Sequence, residues 1–191
     1  MENFIIAVVS IIVAELFRVF ALPSIQRASG KKKKKTEFAF GSWRKPYVKV
    51  YADRNATLRG AAKMFSRATS ADTIYGQCKT CSDYPKFYLD GLANALQRNV
   101  SLDMLVSSAH SQENLAFAKE LLSYKKATIK AHEFGFLRYV GIKDREVIIV
   151  VTQPVSYVGV HIFDKELATY IQKNFEEQWN DPRSVLLRTE D

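Results

Sequence analysis

Covalent and metal chemistry draws on histidine, cysteine and closely placed carboxylates, and this 191-residue chain holds few of the first two. Its three histidines are His110, His132 and His161, and its two cysteines form a single Cys-x-x-Cys, Cys78 and Cys81. A structural zinc takes four ligands, so one such pair is half a site. The spacing favours two ordinary thiols, with no metal and no other cofactor. No Ser–His–Asp order and no paired carboxylates with acid–base spacing stand out. His110 follows a predicted parallel strand, and α/β sheets place ligands at strand C-termini. It is therefore a candidate cleft residue. His132, five residues before Leu137 at a strand end, is the second. His161 falls inside a predicted strand and reads as packed. Asp144, in Lys143-Asp144-Arg145-Glu146, reads most simply as a turn residue.

The elements that would position these residues follow from periodicity. Tyr47–Tyr51 alternates as a strand, and Asp53 or Asn55 starts a helix with Leu58, Ala61, Ala62, Phe65 and Ala68 on one face. A strand over Asp72–Gly76 runs into the Cys-x-x-Cys loop. Pro85 opens a helix carrying Phe87, Leu89, Leu92, Ala95 and Leu96. Leu102–Val106 and Ala127–Ala131 read as strands around a helix over Ser111–Tyr124 with Leu115, Ala118, Leu121 and Leu122. Phe136–Ile142 and Val147–Thr152 flank the polar turn as a hairpin, and Val155–Phe163 is a third run. Asp164 caps a last helix whose Leu167, Ile171, Phe175 and Trp179 recur every four residues. Alternating strands and helices predict an α/β domain with a mixed, largely parallel sheet flanked by helices.

The order strand, turn, strand, strand, helix, ending in Phe175-Glu176-Glu177-Gln178-Trp179, resembles the closing half of a phospholipase D-like domain. The segment from Leu92 to Val106 also resembles that family's helix, basic residue, Val and strand. The likeness extends from about Val48 to Trp179. It implies an active-site motif of His-x-Lys followed by Asp, in which histidine takes the phosphoryl group and lysine holds the phosphate oxygens. With Asp144 in the Asp place, Leu137 stands for the histidine and Tyr139 for the lysine. Leucine has no lone pair and cannot form a phosphohistidine. Members with one motif per chain pair up to join two histidines, but a homodimer of this chain would bring two leucines. The resemblance therefore implies a degenerate single half with no catalytic residue, Asp144 being a remnant.

Phe4–Leu22 is the most apolar stretch, and its nineteen residues reach roughly 28 Å as a helix, about one hydrocarbon core. Met1-Glu2-Asn3 lacks the basic start of a signal peptide. We read 4–22 as a transmembrane anchor, 23–46 as a basic juxtamembrane linker, 47–180 as the domain and 181–191 as a tail. Five of the +8 net charges are one run, Lys31, Lys32, Lys33, Lys34 and Lys35, so the rest carries only +3. That argues against nucleic acid as the main partner and for contact with anionic headgroups. Lys and Arg gather after the span, which places the N-terminus outside and the domain in the cytoplasm. The sequons at Asn55 and Asn99 would matter only on the other side. The expected function is a membrane-anchored, non-catalytic module for a protein partner, a second copy or an anionic ligand. The alternative is a divergent phosphodiesterase or nuclease completed by a second chain.

Overall fold

A computed structural model describes residues 48–79, 84–107, 111–133, 138–153 and 156–188. The stretch 4–22, the lysines at 31–35, Cys81, His110 and Leu137 lie outside them. Among the described residues, no helix is long and apolar enough to cross a membrane.

The order is β1 (Val48–Tyr51), α1 (Arg54–Ser66), β2 (Thr73–Cys78), α2 (Lys86–Gln97), β3 (Ser101–Ser107), α3 (Ser111–Leu122) and β4 (Ala127–His132). It continues with β5 (Arg138–Ile142), β6 (Glu146–Gln153), β7 (Ser156–Ile162), α4 (Lys165–Trp179) and β8 (Val185–Leu186). Local chemistry sets several of these bounds. Asp53 caps α1 by accepting from the Ala56 N–H at 2.7 Å, and Asp164 caps α4 by accepting from Leu167 N–H at 2.9 Å. Pro85 precedes α2, where a missing N–H is harmless.

The strands form one sheet in the order β1-β7-β6-β5-β2-β3-β4-β8. Only β2–β3 and β3–β4 are parallel; the other pairings are antiparallel. The expected predominance of parallel pairing is thus corrected to a mixed sheet with two parallel pairings among the described strands. The reason is topological. Helical crossovers return β3 and β4 in the same direction, whereas β5, β6 and β7 follow one another through connections too short for anything but reversal.

Leu58, Phe65, Leu92, Leu96, Phe117 and Leu121 bring α1, α2 and α3 into one core with Ile74, Met104, Ile129 and Ile148. On the other face α4 lays Phe175 against Tyr75, ring centres 5.3 Å apart. The approach of α1 to β7 is close enough that a Cβ at Gly159 would strike the Thr57 side chain, so glycine is needed there.

Four local expectations change. β2 continues past Gly76 through Gln77 and Cys78. Glu146, placed in the turn by its polarity, opens β6 opposite Ile142 and is only 4% exposed. The tail contributes β8, which pairs with β4 through Lys130 and Ala131. Cys78 is disulfide-bonded, in place of the ordinary thiol expected.

Candidate functional site

The parallel strands end together at Cys78, Ser107 and His132, and the start of β5 lies at the same end through the pairing of Gln77 with Tyr139. Side chains alternate across a sheet, so neighbours Arg138 and Tyr139 serve opposite faces. Tyr139 goes to the α4 side. It is 2% exposed, its ring lies 6.1 Å from Tyr75 and 6.5 Å edge-on to Phe175, and its hydroxyl is buried without a hydrogen-bond partner. Burial, with Tyr75 adding to it, pushes the phenol far above its ordinary pKa. The carbonyl oxygen of Gln77, directly across the ladder, is also buried and unpartnered.

His132 is buried at the end of β4. Its Nδ1 lies 3.0 Å from Ser184 Oγ, whose single proton is donated to the Gln178 carbonyl at 2.5 Å. Nδ1 must therefore be the donor of the pair. That bond ties the C-terminal segment to the sheet. Asp144 sits at the opposite end of the sheet, in the β5–β6 turn, with φ of 56° and its N–H donating to Gln172 Oε1 at 2.8 Å. Aspartate tolerates this left-handed conformation better than most residues. Asp144 and His132 are thus not brought together.

On the α1 side of the same strand ends is a cavity of about 70 Å³. Arg54, at the start of α1, Lys79, just past β2, and Arg138, first in β5, all line it, as do Tyr84, Tyr88 and Tyr157. No Asp or Glu does so among the described residues. Leu58, Ala61, Met104, Val140 and Ile148 supply its apolar walls. Tyr84 stacks on Tyr88 at 4.4 Å and donates to Cys78 Sγ at 3.3 Å. Burial raises its phenol to about 12, against the pull of Arg54 and Arg138.

A third group of residues escaped the sequence reading. Tyr51 Oη lies 3.2 Å from His161 Nδ1, and His161 Nε2 lies 2.8 Å from Glu146 Oε2. Arg67 Nη2 donates to the same carboxylate oxygen at 2.8 Å, and Arg145 Nε approaches the other at 3.4 Å. Burial raises the Glu146 pKa, but the His161 hydrogen bond, Arg67 and Arg145 together outweigh it and leave the carboxyl below its usual range. The order hydroxyl, imidazole, carboxylate suits proton relay, yet His161 is 1% exposed and stacked on Phe163 at 3.8 Å. The network joins α1, β1, β6 and β7 through the buried Glu146 carboxylate. Its one sequence signal was a carboxylate opening an apolar run.

Comparison with known proteins adds the architecture's affiliation. No family model matches the sequence, and no curated protein does. Among solved structures, Nuc from Salmonella typhimurium, a phospholipase D family member, matches with a TM-score of 0.61 at 13% identity, over 75% of this chain and 99% of Nuc. The fold is phospholipase D-like. NucT from Helicobacter pylori agrees, with a TM-score of 0.56 at 8% identity over 73% of this chain and 98% of its own. TrmBL2, an archaeal chromatin protein described as showing a novel mode of DNA binding, reaches 0.59 at 13% identity, over 97% and 67%. Tyr139, which the sequence resemblance set in the motif lysine's place, belongs here to the apolar packing beneath α4.

Proposed function

We propose that this chain is a membrane-tethered phospholipase D-like domain that binds an anionic group without turning over phosphodiesters. What supports the reading is the setting of Tyr139. A phosphate clamp needs a mobile cation facing solvent. At this position there is instead an aromatic ring sealed between Tyr75 and Phe175, with an unpartnered hydroxyl. Leu137, two residues earlier, offers no nucleophile. The apolar stretch 4–22 would hold the chain in the bilayer, and Lys31 to Lys35 would rest on anionic headgroups.

The test is hydrolysis of a chromogenic phosphodiester by the purified full chain, beside an Asp144→Ala control. We expect no turnover above that control, since loss of a covalent nucleophile removes several orders of magnitude of rate. Robust turnover abolished by His110→Ala or His132→Ala would overturn the reading and favour the phosphodiesterase alternative. Turnover appearing only on adding a second protein would do the same.

A further inference from the structure

We infer that the outer surface of α1 and α2 is a docking face for an anionic bilayer, with Arg59, Lys63 and Arg98 as its cationic contacts. The inference rests on the membrane-tethered reading above. It names the lipid headgroup as the anionic ligand and puts the contact on these two helices.

The helices lie side by side and form one surface. Arg59 carries its guanidinium over the Phe87 ring, 5.5 Å from the centre. A Cβ at Gly91 would come within 3.2 Å of the Ala62 Cβ, so the two backbones run close there. Farther along, Arg98 Nη2 donates to the Phe65 carbonyl at 2.9 Å. Phe87, Gly91, Asn94 and Arg98 thus follow one row of α2, beside the row of α1 that carries Arg59 and Lys63. Arg59, Lys63, Asn94 and Arg98 are all exposed.

The charge of this surface is one-sided. From Asn55 to Arg67 the chain has three cations and no carboxylate, and from Lys86 to Arg98 it has two cations and one carboxylate, Asp90. Lys86 holds Asp90 at 2.7 Å, and Arg67 turns to Glu146 at 2.8 Å. Arg59, Lys63 and Arg98 are left without a carboxylate partner among the described residues. Arg59 and Lys63 stand at i,i+4, where like charges weaken a helix; an anionic surface turns that repulsion into attraction. The helix on the other side of the sheet differs, since α4 has two cations and three carboxylates. A negative bilayer therefore attracts one face and not the other.

The rest of the chain points to the bilayer as the occupant. Residues 1–47 precede β1, whose Val48 pairs with Ile162 beside Val147, next in sequence to the Glu146 that Arg67 holds. The chain thus enters the domain near the end of α1. A segment in the bilayer at 4–22, as proposed, would keep this face at high effective concentration against headgroups. Phe87 is half-buried under Arg59, so the face offers no exposed ring for stacking bases among the described residues. That favours a bilayer over a nucleic-acid strand.

The experiment places the full chain in lipid nanodiscs of phosphatidylcholine, with or without phosphatidylserine, and follows acylation of each lysine by mass spectrometry. Wild type, Arg59→Glu, Asn94→Glu and the α4 control Lys173→Glu are compared. We expect phosphatidylserine to slow acylation of Lys63 roughly fivefold while Lys165 on α4 keeps its rate. High salt should remove the slowing. Arg59→Glu and Asn94→Glu should remove it too, each with a Tm near that of wild type, and Lys173→Glu should leave it intact. Equal slowing on both helical faces, or none at Lys63, would overturn the docking face. Slowing at Lys63 by duplex DNA and not by phosphatidylserine would also overturn it and assign the face to nucleic acid. Extraction with alkaline carbonate tests the tether separately: release of the chain with the Lys63 footprint intact would count against the tethered reading and leave the docking face standing.

Discussion

Glu146 has a side chain only 5% exposed and shares its carboxylate among His161, Arg67 and Arg145. Removing one partner of a buried ionic group leaves the others uncompensated and costs about 3–5 kcal/mol, so Glu146→Ala should lower unfolding stability in urea by that order. The pH dependence has a definite sign. The folded-state pKa lies below the unfolded value of an ordinary glutamate. Stability from this group is therefore complete above the unfolded value and is lost as pH falls through the folded one. Asp72 shifts the same way, burial being outweighed by the Thr69 backbone and hydroxyl bonds and by Arg145. Urea midpoints measured from about pH 6 down to 3 should fall in the wild type and fall less in Glu146→Gln. An equal slope in both would mean that the carboxylate is not the group being protonated.

Helix α4 owes its place to one apolar stripe. Ala168, Ile171 and Phe175 are buried, whereas Trp179 is half-buried at the helix end. Its indole stacks on Phe175 at 5.4 Å and carries Lys130 Nζ 4.7 Å above the ring. The four-residue periodicity suggested that Trp179 closes the core; the structure gives that part to Phe175, which is fully buried. Phe175→Ala should cost about 3–5 kcal/mol, and Trp179→Ala on the order of 1–2 kcal/mol, nearer the value of an exposed aromatic and cation–π pair. Equilibrium unfolding of both variants checks the order. A larger loss for Trp179→Ala would show that the terminal turn, not its middle, anchors the helix.

The proposed membrane topology draws on charge and on redox state, and these make opposite claims. The basic run after residue 22 calls for a cytoplasmic domain. The disulfide at Cys78 is a bond that persists mainly in oxidising compartments. We expect protease added outside sealed, right-side-out vesicles to spare the domain, with Asn55 and Asn99 unmodified. Glycosylation at either asparagine would reverse the orientation and accord with the disulfide.

Most of the secondary structure was legible because it is local. Apolar residues at helical or alternating spacing, with Asp53 and Asp164 as caps, mark α1, α4 and most strands without reference to anything distant. The resemblance carried by the hairpin and the final Phe-x-x-x-Trp led to the right fold, since chain order alone restricts the topologies available. Strand direction was less legible. β1 pairs with β7, more than a hundred residues later, and no local pattern encodes that partner. The burial of Glu146 was hidden for the same reason: its counter-charges, Arg67 and His161, come from α1 and β7, and without them a glutamate beside Lys-Asp-Arg reads as turn. The cavity of Arg54, Lys79 and Arg138 is the extreme case. Its cations lie scattered along the chain, each an ordinary surface residue by type, and only the register of β2 against β5 and the seating of α1 bring them to the lining of one cavity.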